Sequence, residues 1–244
     1  MVDLVYAELL KLKRAKMFLV SVIGAAAAPV MVFIGYLDLR ARKPEEIVTF
    51  MKMFSETNLY VTLLIGTLLY GVITSYVFHR EYAEDTLKHL LTIPVSRLSL
   101  LASKLVLLFL WIMTLTVFAW GLVLIFGLIG RIEGLSADVV LESLKQYAIG
   151  GSLLFLLTTP TMFVTFLFKN YVPTIIFTAA VTMANVALAN REYKALFPWS
   201  AVQVIAERSF VPAYPPLYSY IAVGAASVVG LVATILYFRK ADIH

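Results

Sequence analysis

Leu105–Gly130 reads LVLLFLWIMTLTVFAWGLVLIFGLIG, 26 consecutive residues without one Asp, Glu, Lys, Arg or His. A helix rises about 1.5 Å per residue, so about 20 residues cross the roughly 30 Å hydrocarbon layer of a bilayer. This run is longer than that and has no polar face for water to wet. Five more charge-free runs occur, at residues 17–37, 59–78, 147–168, 172–189 and 217–238, so every charged side chain of the 244-residue chain lies between or beyond the six. The composition agrees: 61% of residues are hydrophobic, 14% are charged, and mean hydropathy is +0.89, against about 45–50% and about 25% in soluble chains. With so much apolar content and only 12 Gly and 9 Pro, neither a disordered nor a collagen-like chain is possible. Cys is absent, which removes disulfides, thiol chemistry and sulfur-ligated zinc.

The expected fold is an all-α polytopic membrane protein, a single transmembrane domain over residues 1–244 with spans near 17–37, 59–78, 105–130, 147–168, 172–189 and 217–238. The first run follows Lys11, Lys13, Arg14 and Lys16 and contains Ala25–Ala28, a pattern shared with signal peptides. It continues through Leu37 to a full span, however, and its leader carries Asp3 and Glu8, so it reads as a retained helix. With both termini in the cytoplasm, the inner segments hold 11 Lys/Arg and 6 acids, and the outer segments hold 9 of each. The net charge of +5 then lies entirely inside, and the Lys/Arg bias favours that orientation. No basic aromatic platform suggests nucleic acid.

Ionisable groups at membrane depth mark proton relays and ion pathways, and these runs contain none. Asn185, midway along the fifth, is the most polar group at depth. It reads either as an interhelical hydrogen-bonding residue or as a polar contact on a pathway. No intramembrane nucleophile–base pair or metal triad is present, so an enzyme is not expected. A Walker A loop needs Gly-Lys, and none of the eleven lysines follows a glycine. Uphill transport by this chain therefore requires energy from a separate ATPase.

Residues 79–104, between the second and third spans, form the connection where such a partner can push. Leu87, Leu90 and Leu91 fall on one helical face, and Glu84 precedes Lys88 by four residues. Pro94 stops that helix and biases Ile93 away from it. Ser96 then caps a second helix that runs through Lys104 into the third span. The spacing predicts helix, sharp break, helix, either as a docking element or as an interfacial loop that is helical only to satisfy its backbone.

The run Arg80-Glu81-Tyr82-x-Glu84-Asp85-Thr86-Leu87-Lys88-x-Leu90-Leu91-Thr92-x-Pro94-Val95-Ser96-Arg97, followed by Ser103-Lys104, resembles the segment after the second helix of ABC-2 type exporter permeases, particularly the six-helix bacitracin and lantibiotic-immunity branch. Asp85 stands where those permeases often carry Gly, a mild departure since Asp also suits a helix start. Val5–Arg14 is similar to the N-terminal interfacial helix of that family, and Phe197-Pro198-Trp199-Ser200 to a segment of its last outer loop. The resemblance implies that residues 79–104 are a coupling loop on an ATP-binding subunit present in two copies. Leu87, Leu90 and Leu91 would fill a groove on that subunit, Glu81, Glu84 and Asp85 would meet its basic residues beside Lys88, and Pro94 would set the bend. It also implies a second permease copy or a related permease, no cofactor in this chain, ATP and Mg in the partner, and the cell membrane of a prokaryote as location.

Residues 190–216 are rich in rings, including Tyr193, Phe197, Trp199, Phe210 and Tyr214, and Pro198, Pro212, Pro215 and Pro216 divide them into short pieces, of which Trp199–Ser209 suits one helix. In the resembling family the outer helices dip back into the bilayer, which makes Phe197, Trp199 and Phe210 gate residues. An aromatic belt at headgroup level is the alternative. Ser136 is placed to cap a helix extending the fourth span, and Pro160 after Thr158-Thr159 is placed to kink it, with Thr hydroxyls satisfying freed backbone groups. Ala222, Ala226, Gly230 and Thr234 form a small-residue stripe for close packing, within the chain or against a second copy. The amphipathic leader predicts a helix lying in the interface with Leu4, Val5, Leu9 and Leu12 on one side.

The expected function is thus the permease subunit of an ATP-driven exporter, moving an amphipathic peptide or lipid-like antimicrobial outward. A non-transporting scaffold, or a permease for an ion such as sodium, stays open. Copper is disfavoured by the absence of Cys, by three His, and by a single Met51-Lys52-Met53 pair, and no other metal site is expected.

Overall fold

The computed structural model describes residues 2–13, 15–43, 45–83 and 96–240. Its helices are α1 (Val2–Lys13), α2 (Lys16–Arg42), α3 (Phe50–Tyr60), α4 (Gly66–Ala83), α5 (Arg97–Ile129), α6 (Ala137–Leu156), α7 (Thr158–Phe168), α8 (Tyr171–Leu188), α9 (Pro198–Ala206) and α10 (Pro216–Lys240). One π-helical turn, Val61–Ile65, joins α3 to α4. Six stretches are long and apolar enough to cross a bilayer: Lys16–Arg42, Phe50–Arg80, Leu98–Ile129, Ala137–Phe168, Tyr171–Leu188 and Pro216–Tyr237.

Side-chain caps start several of these helices. Ser96 Oγ accepts from Ser99 N at 3.1 Å, Ser136 Oγ from Val139 N at 3.3 Å, and Asn170 Oδ1 from Val172 N at 2.9 Å. The expected caps at Ser96 and Ser136 are therefore present. The second span differs from expectation, since its helix begins at Phe50 and carries Lys52 and Glu56. A charge interrupts an apolar run but not a helix. At a helix end it reaches polar partners, as Lys52 Nζ reaches Glu46 at 3.5 Å.

The fourth span breaks at Leu157, between α6 and α7, just before Thr158-Thr159-Pro160. Thr158 Oγ1 donates to Phe155 O at 2.6 Å, and Ser227 Oγ of α10 donates to Leu156 O at 2.8 Å. Thr159 Oγ1 lies 3.0 Å from Leu156 O and 2.6 Å from Ser227 O. Hydroxyls thus hold the backbone groups around the break and lace α7 to α10, as the Thr-Thr-Pro sequence predicts. The small-residue stripe of α10 packs on that same break. A Cβ on Gly230 would sit 2.4 Å from Pro160 N. The stripe therefore serves packing within this chain.

The core is largely apolar, with Ile73, Leu108, Ile112, Leu115 and Met162 fully buried, but α8 is polar on its inner face and apolar on its outer one. Thr174, Thr178, Thr182 and Asn185 share the buried face of α8, while Ile176, Met183 and Val186 are exposed on the other. Gly71 of α4 gives Thr178 its space, since a Cβ there would meet Thr178 Cγ2 at 2.1 Å. Thr178 and Thr182 turn their hydroxyls back onto the carbonyls four residues earlier, at 3.1 and 2.8 Å. The second span is the most enclosed of the six, and the first, fifth and sixth are the most open to the surroundings.

Candidate functional site

One end of the bundle gathers the leader, the borders of residues 84–95 and the α7–α8 turn. Lys104 of α5 is 6% exposed; its Nζ donates to Val77 O of α4 at 3.0 Å and lies 3.6 Å from Glu8 of α1. Glu8 also accepts from Lys11 at 2.7 Å. His79 Nε2 is 3.0 Å from Lys169 O, and its ring meets Tyr171 edge-on at 5.7 Å. A charge at this depth is tolerated because it is paired and hydrogen-bonded. The buried Lys104 could not be found from apolar runs, because it lies one residue outside the charge-free stretch.

Helix α1 packs on α5 with Leu4, Val5 and Leu12 half-buried and Glu8 buried between them, while Tyr6, Leu9 and Leu10 are exposed. Leu9 is therefore not on the packed side, because the face is centred on the ion-paired Glu8 rather than on leucine alone. Glu81 lies in the last turn of α4. Glu84, Asp85, Leu87, Lys88, Leu90, Leu91 and Pro94 lie outside the described residues.

The opposite end joins the three other connections. Arg40 Nη1 donates to Gly130 O at 2.9 Å, Phe50 N to Glu133 O at 3.0 Å, and Ser55 Oγ to Glu207 Oε1 at 3.2 Å. Helix α9 starts with Pro198 in its first turn, two residues before Ser200, and every residue from Ser200 to Ala206 is buried. Such all-round burial is what wedging a short helix among longer ones produces. The predicted helix Trp199–Ser209 is real but ends at Ala206. Phe197 and Trp199 stand 5.8 Å apart, with Trp199 edge-on to Phe177 of α8 at 6.0 Å, whereas Phe210 packs on Tyr220 of α10 at 6.2 Å.

Asn185 links the fifth span to this region. Its Nδ2 donates to Leu63 O at 3.1 Å and lies 3.4 Å from Thr67 Oγ1, and its Oδ1 accepts from Ser200 Oγ at 2.9 Å. Leu63 lies within the π turn, whose wider winding leaves carbonyls without their regular helical donors. The amide thus fastens α8, α9 and the π turn together, through hydrogen bonds made within this chain.

Glu207, which sequence inspection passes over as an ordinary loop acid, caps α9 in a half-buried position. Burial raises its carboxyl above the usual range, partly offset by Ser55, by Gln203 Nε2 at 3.2 Å, by Asn58 and by the positive Lys194. A carboxyl bound more tightly to its proton in the folded state gives stability that is full below about 4.5 and is lost as pH rises through the raised value. Glu207→Gln, which keeps the shape without the charge, is expected to raise Tm at pH 7.5, with the gain vanishing near pH 4. Each kcal/mol is worth roughly 2–4 °C in a chain of this size. Thermal unfolding in detergent at both pH values checks this; a lowered Tm at pH 7.5 would contradict it.

Among the described residues, no group of three or more His, Asp and Glu is placed to hold a metal ion. In comparison with known proteins, residues 4–185 match the ABC-2 family transporter protein family. The chain is also 62% identical over 205 residues to the bacitracin transport permease protein BCRB of Bacillus licheniformis, covering 84% of this chain and 99% of that protein.

Proposed function

The chain belongs to the ABC-2 transporter family, and from that premise we propose that it exports an amphipathic antimicrobial peptide of the bacitracin type, driven by ATP hydrolysis in a separate subunit. The observation that carries this reading is the 62% identity to a bacitracin transport permease, spread over 99% of that protein's length. Two ATP-binding subunits with Mg-ATP and two permease chains, identical or related, make up the working exporter. Both termini face the cytoplasm of the bacterial cell.

Residues 79–104 are the coupling loop. Closure of the ATP-binding subunits pushes it, and the push enters α4 and α5, which border it directly. The Lys104 contacts to Val77 O and Glu8 make α1, α4 and α5 move as one. At the far end α9 is a re-entrant plug, with Phe197, Trp199 and Phe210 as the gate. Asn185 holds the plug closed through Ser200 and becomes a pathway contact when α9 withdraws. An apolar interior lined at intervals by hydroxyls and the Asn185 amide, with its buried charges confined to the Lys104–Glu8 end, suits an amphipathic substrate, since it offers hydrogen bonds without trapping one sign of charge.

Reconstitution with an ATP-binding subunit of the same family tests the reading. Bacitracin is expected to stimulate ATP hydrolysis severalfold, and inside-out vesicles to accumulate it only with Mg-ATP. Absence of both effects in a complex that co-purifies would reject bacitracin as substrate. Failure to bind any ATP-binding subunit would reject the exporter.

A further inference from the structure

The end of the bundle opposite His79 and Lys104 carries a cavity of about 150 Å³ where the last turns of α2 meet the loops before α3 and after α5. Phe33, Tyr36, Arg40, Glu46, Arg131 and Glu133 are among the residues that line it. Its walls are held by the Arg40–Gly130 and Phe50–Glu133 hydrogen bonds. Arg131 stands in the left-handed backbone region, with φ of 50°, which a residue other than glycine occupies only where its surroundings enforce it.

The polar groups of the cavity are incompletely used. Tyr36 precedes Arg40 by one turn on the same face of α2, and its buried hydroxyl makes no close hydrogen bond among the described residues, although the Glu56 carboxylate faces it. Arg131 and Glu133 have no side-chain partner among the described residues. Glu46 shares Lys52 at 3.5 Å, and Glu56 lies near Tyr36. A buried hydroxyl without a close hydrogen bond is uncommon enough to need an explanation.

Depth and surroundings identify the class of occupant. The charge-free runs end at Leu37 in α2 and at Gly130 after α5, so the charged rim of the cavity falls where the apolar part of both helices stops. Ile34, Leu37, Ile47 and Ile129 around it are exposed aliphatic side chains of the kind that face acyl chains. The volume is below the roughly 300–1,000 Å³ of a site that encloses a whole small molecule. Cations and carboxylates line it together, so a purely anionic headgroup would leave the acids unpaired. We propose that this cavity binds the zwitterionic headgroup of a phosphatidylethanolamine-type lipid. Arg40, Arg131 and the Tyr36 hydroxyl donate to the phosphate, Glu46 and Glu133 accept from the primary ammonium, and the acyl chains run down α2.

Native mass spectrometry of the delipidated full chain, titrated separately with POPE, POPC and POPG, tests this. POPE is expected to be retained about tenfold more strongly than either other lipid, a difference of about 1.4 kcal/mol, and soluble phosphoethanolamine is expected to displace it. Arg40→Gln with Arg131→Gln reduces POPE retention to the POPC level, and Glu46→Gln removes the preference over POPG. Tyr36→Phe keeps the ring, and with it the packing, yet loses POPE severalfold, which keeps the test decisive if the double variant misfolds. Equal retention of the three lipids, or unchanged POPE retention in Tyr36→Phe, overturns the proposal. So does displacement of POPE by an equal concentration of an amphipathic peptide, which would make the cavity a peptide site.

Discussion

Glu84→Arg is expected to abolish ATP-driven export while leaving the permease inserted and folded. The residue lies in the charged run of Glu81, Glu84 and Asp85 that precedes Leu87, Leu90 and Leu91. In the proposed complex those acids face basic residues of the ATP-binding subunit. Reversing one of them places like charges against each other at an interface, which costs several kcal/mol, and every 1.4 kcal/mol is tenfold in affinity. A loss of at least about a hundredfold in subunit association is therefore expected. The flanking helices have their own anchors in Lys104 on Val77 O and in the Ser96 cap, so the fold is expected to survive the change. Transport into vesicles, bacitracin-stimulated ATP hydrolysis and co-purification should fall together, with membrane level and Tm unchanged. Export at the parental rate would remove Glu84 from the coupling contact, and loss of the folded protein would show that its role is structural.

Gly230→Val is expected to do the reverse and destroy the bundle without touching either proposed interface. The first atom of any side chain at 230 would lie 2.4 Å from Pro160 N, 2.7 Å from Thr159 C and 2.8 Å from Pro160 Cα. These are backbone atoms that no rotamer change can move away. Relief requires α10 to withdraw from α7, which breaks the Thr159 and Ser227 hydrogen bonds across the break in the fourth span. Overpacking alone typically costs about 1–3 kcal/mol, and hydroxyls and carbonyls left unpaired at membrane depth add to it. We expect aggregation on extraction and no monodisperse species by size-exclusion chromatography. On the same helix, a Cβ added at Gly224 would meet nothing within 4 Å, so Gly224→Ala should be neutral or gain up to about 1 kcal/mol from helix propensity. A Gly230→Val protein as stable as the parent would mean that the α7–α10 crossing is not close.

Much of the fold was legible because the deciding signals are local. Ser96 and Ser136 cap the helices their positions predict, and Thr158-Thr159-Pro160 stands at a break whose freed carbonyls are met by hydroxyls. Span ends were less legible. The second span extends outward past Leu59 to Phe50 because Lys52 and Glu56 continue the helix that the charge count had ended. The site was legible in part. Asn185 announces itself as the most polar group at depth, but its ties to Leu63 and Ser200 bring together residues 122 and 15 positions away. Glu207 gave no signal, since only α3 and α9 meeting makes it a half-buried acid.

The sequence by itself determined that this chain crosses a bilayer six times and, through the run from Arg80 to Arg97, which family it resembles. Both are properties of contiguous residues: chain length against hydrocarbon thickness, and side chains in a row. Only the tertiary structure decided which side of each span faces inward. In water an apolar stripe marks the buried face, but in lipid both faces of a helix are apolar and the usual signal disappears. The inward faces here are instead set by Thr174, Thr178 and Asn185, by the glycines that let helices close on them, and by Glu8 on Lys104. Asn185 and Glu8 are costly in hydrocarbon and are tolerated because distant parts of the chain supply their partners, whereas Thr178 is satisfied by carbonyls of its own helix.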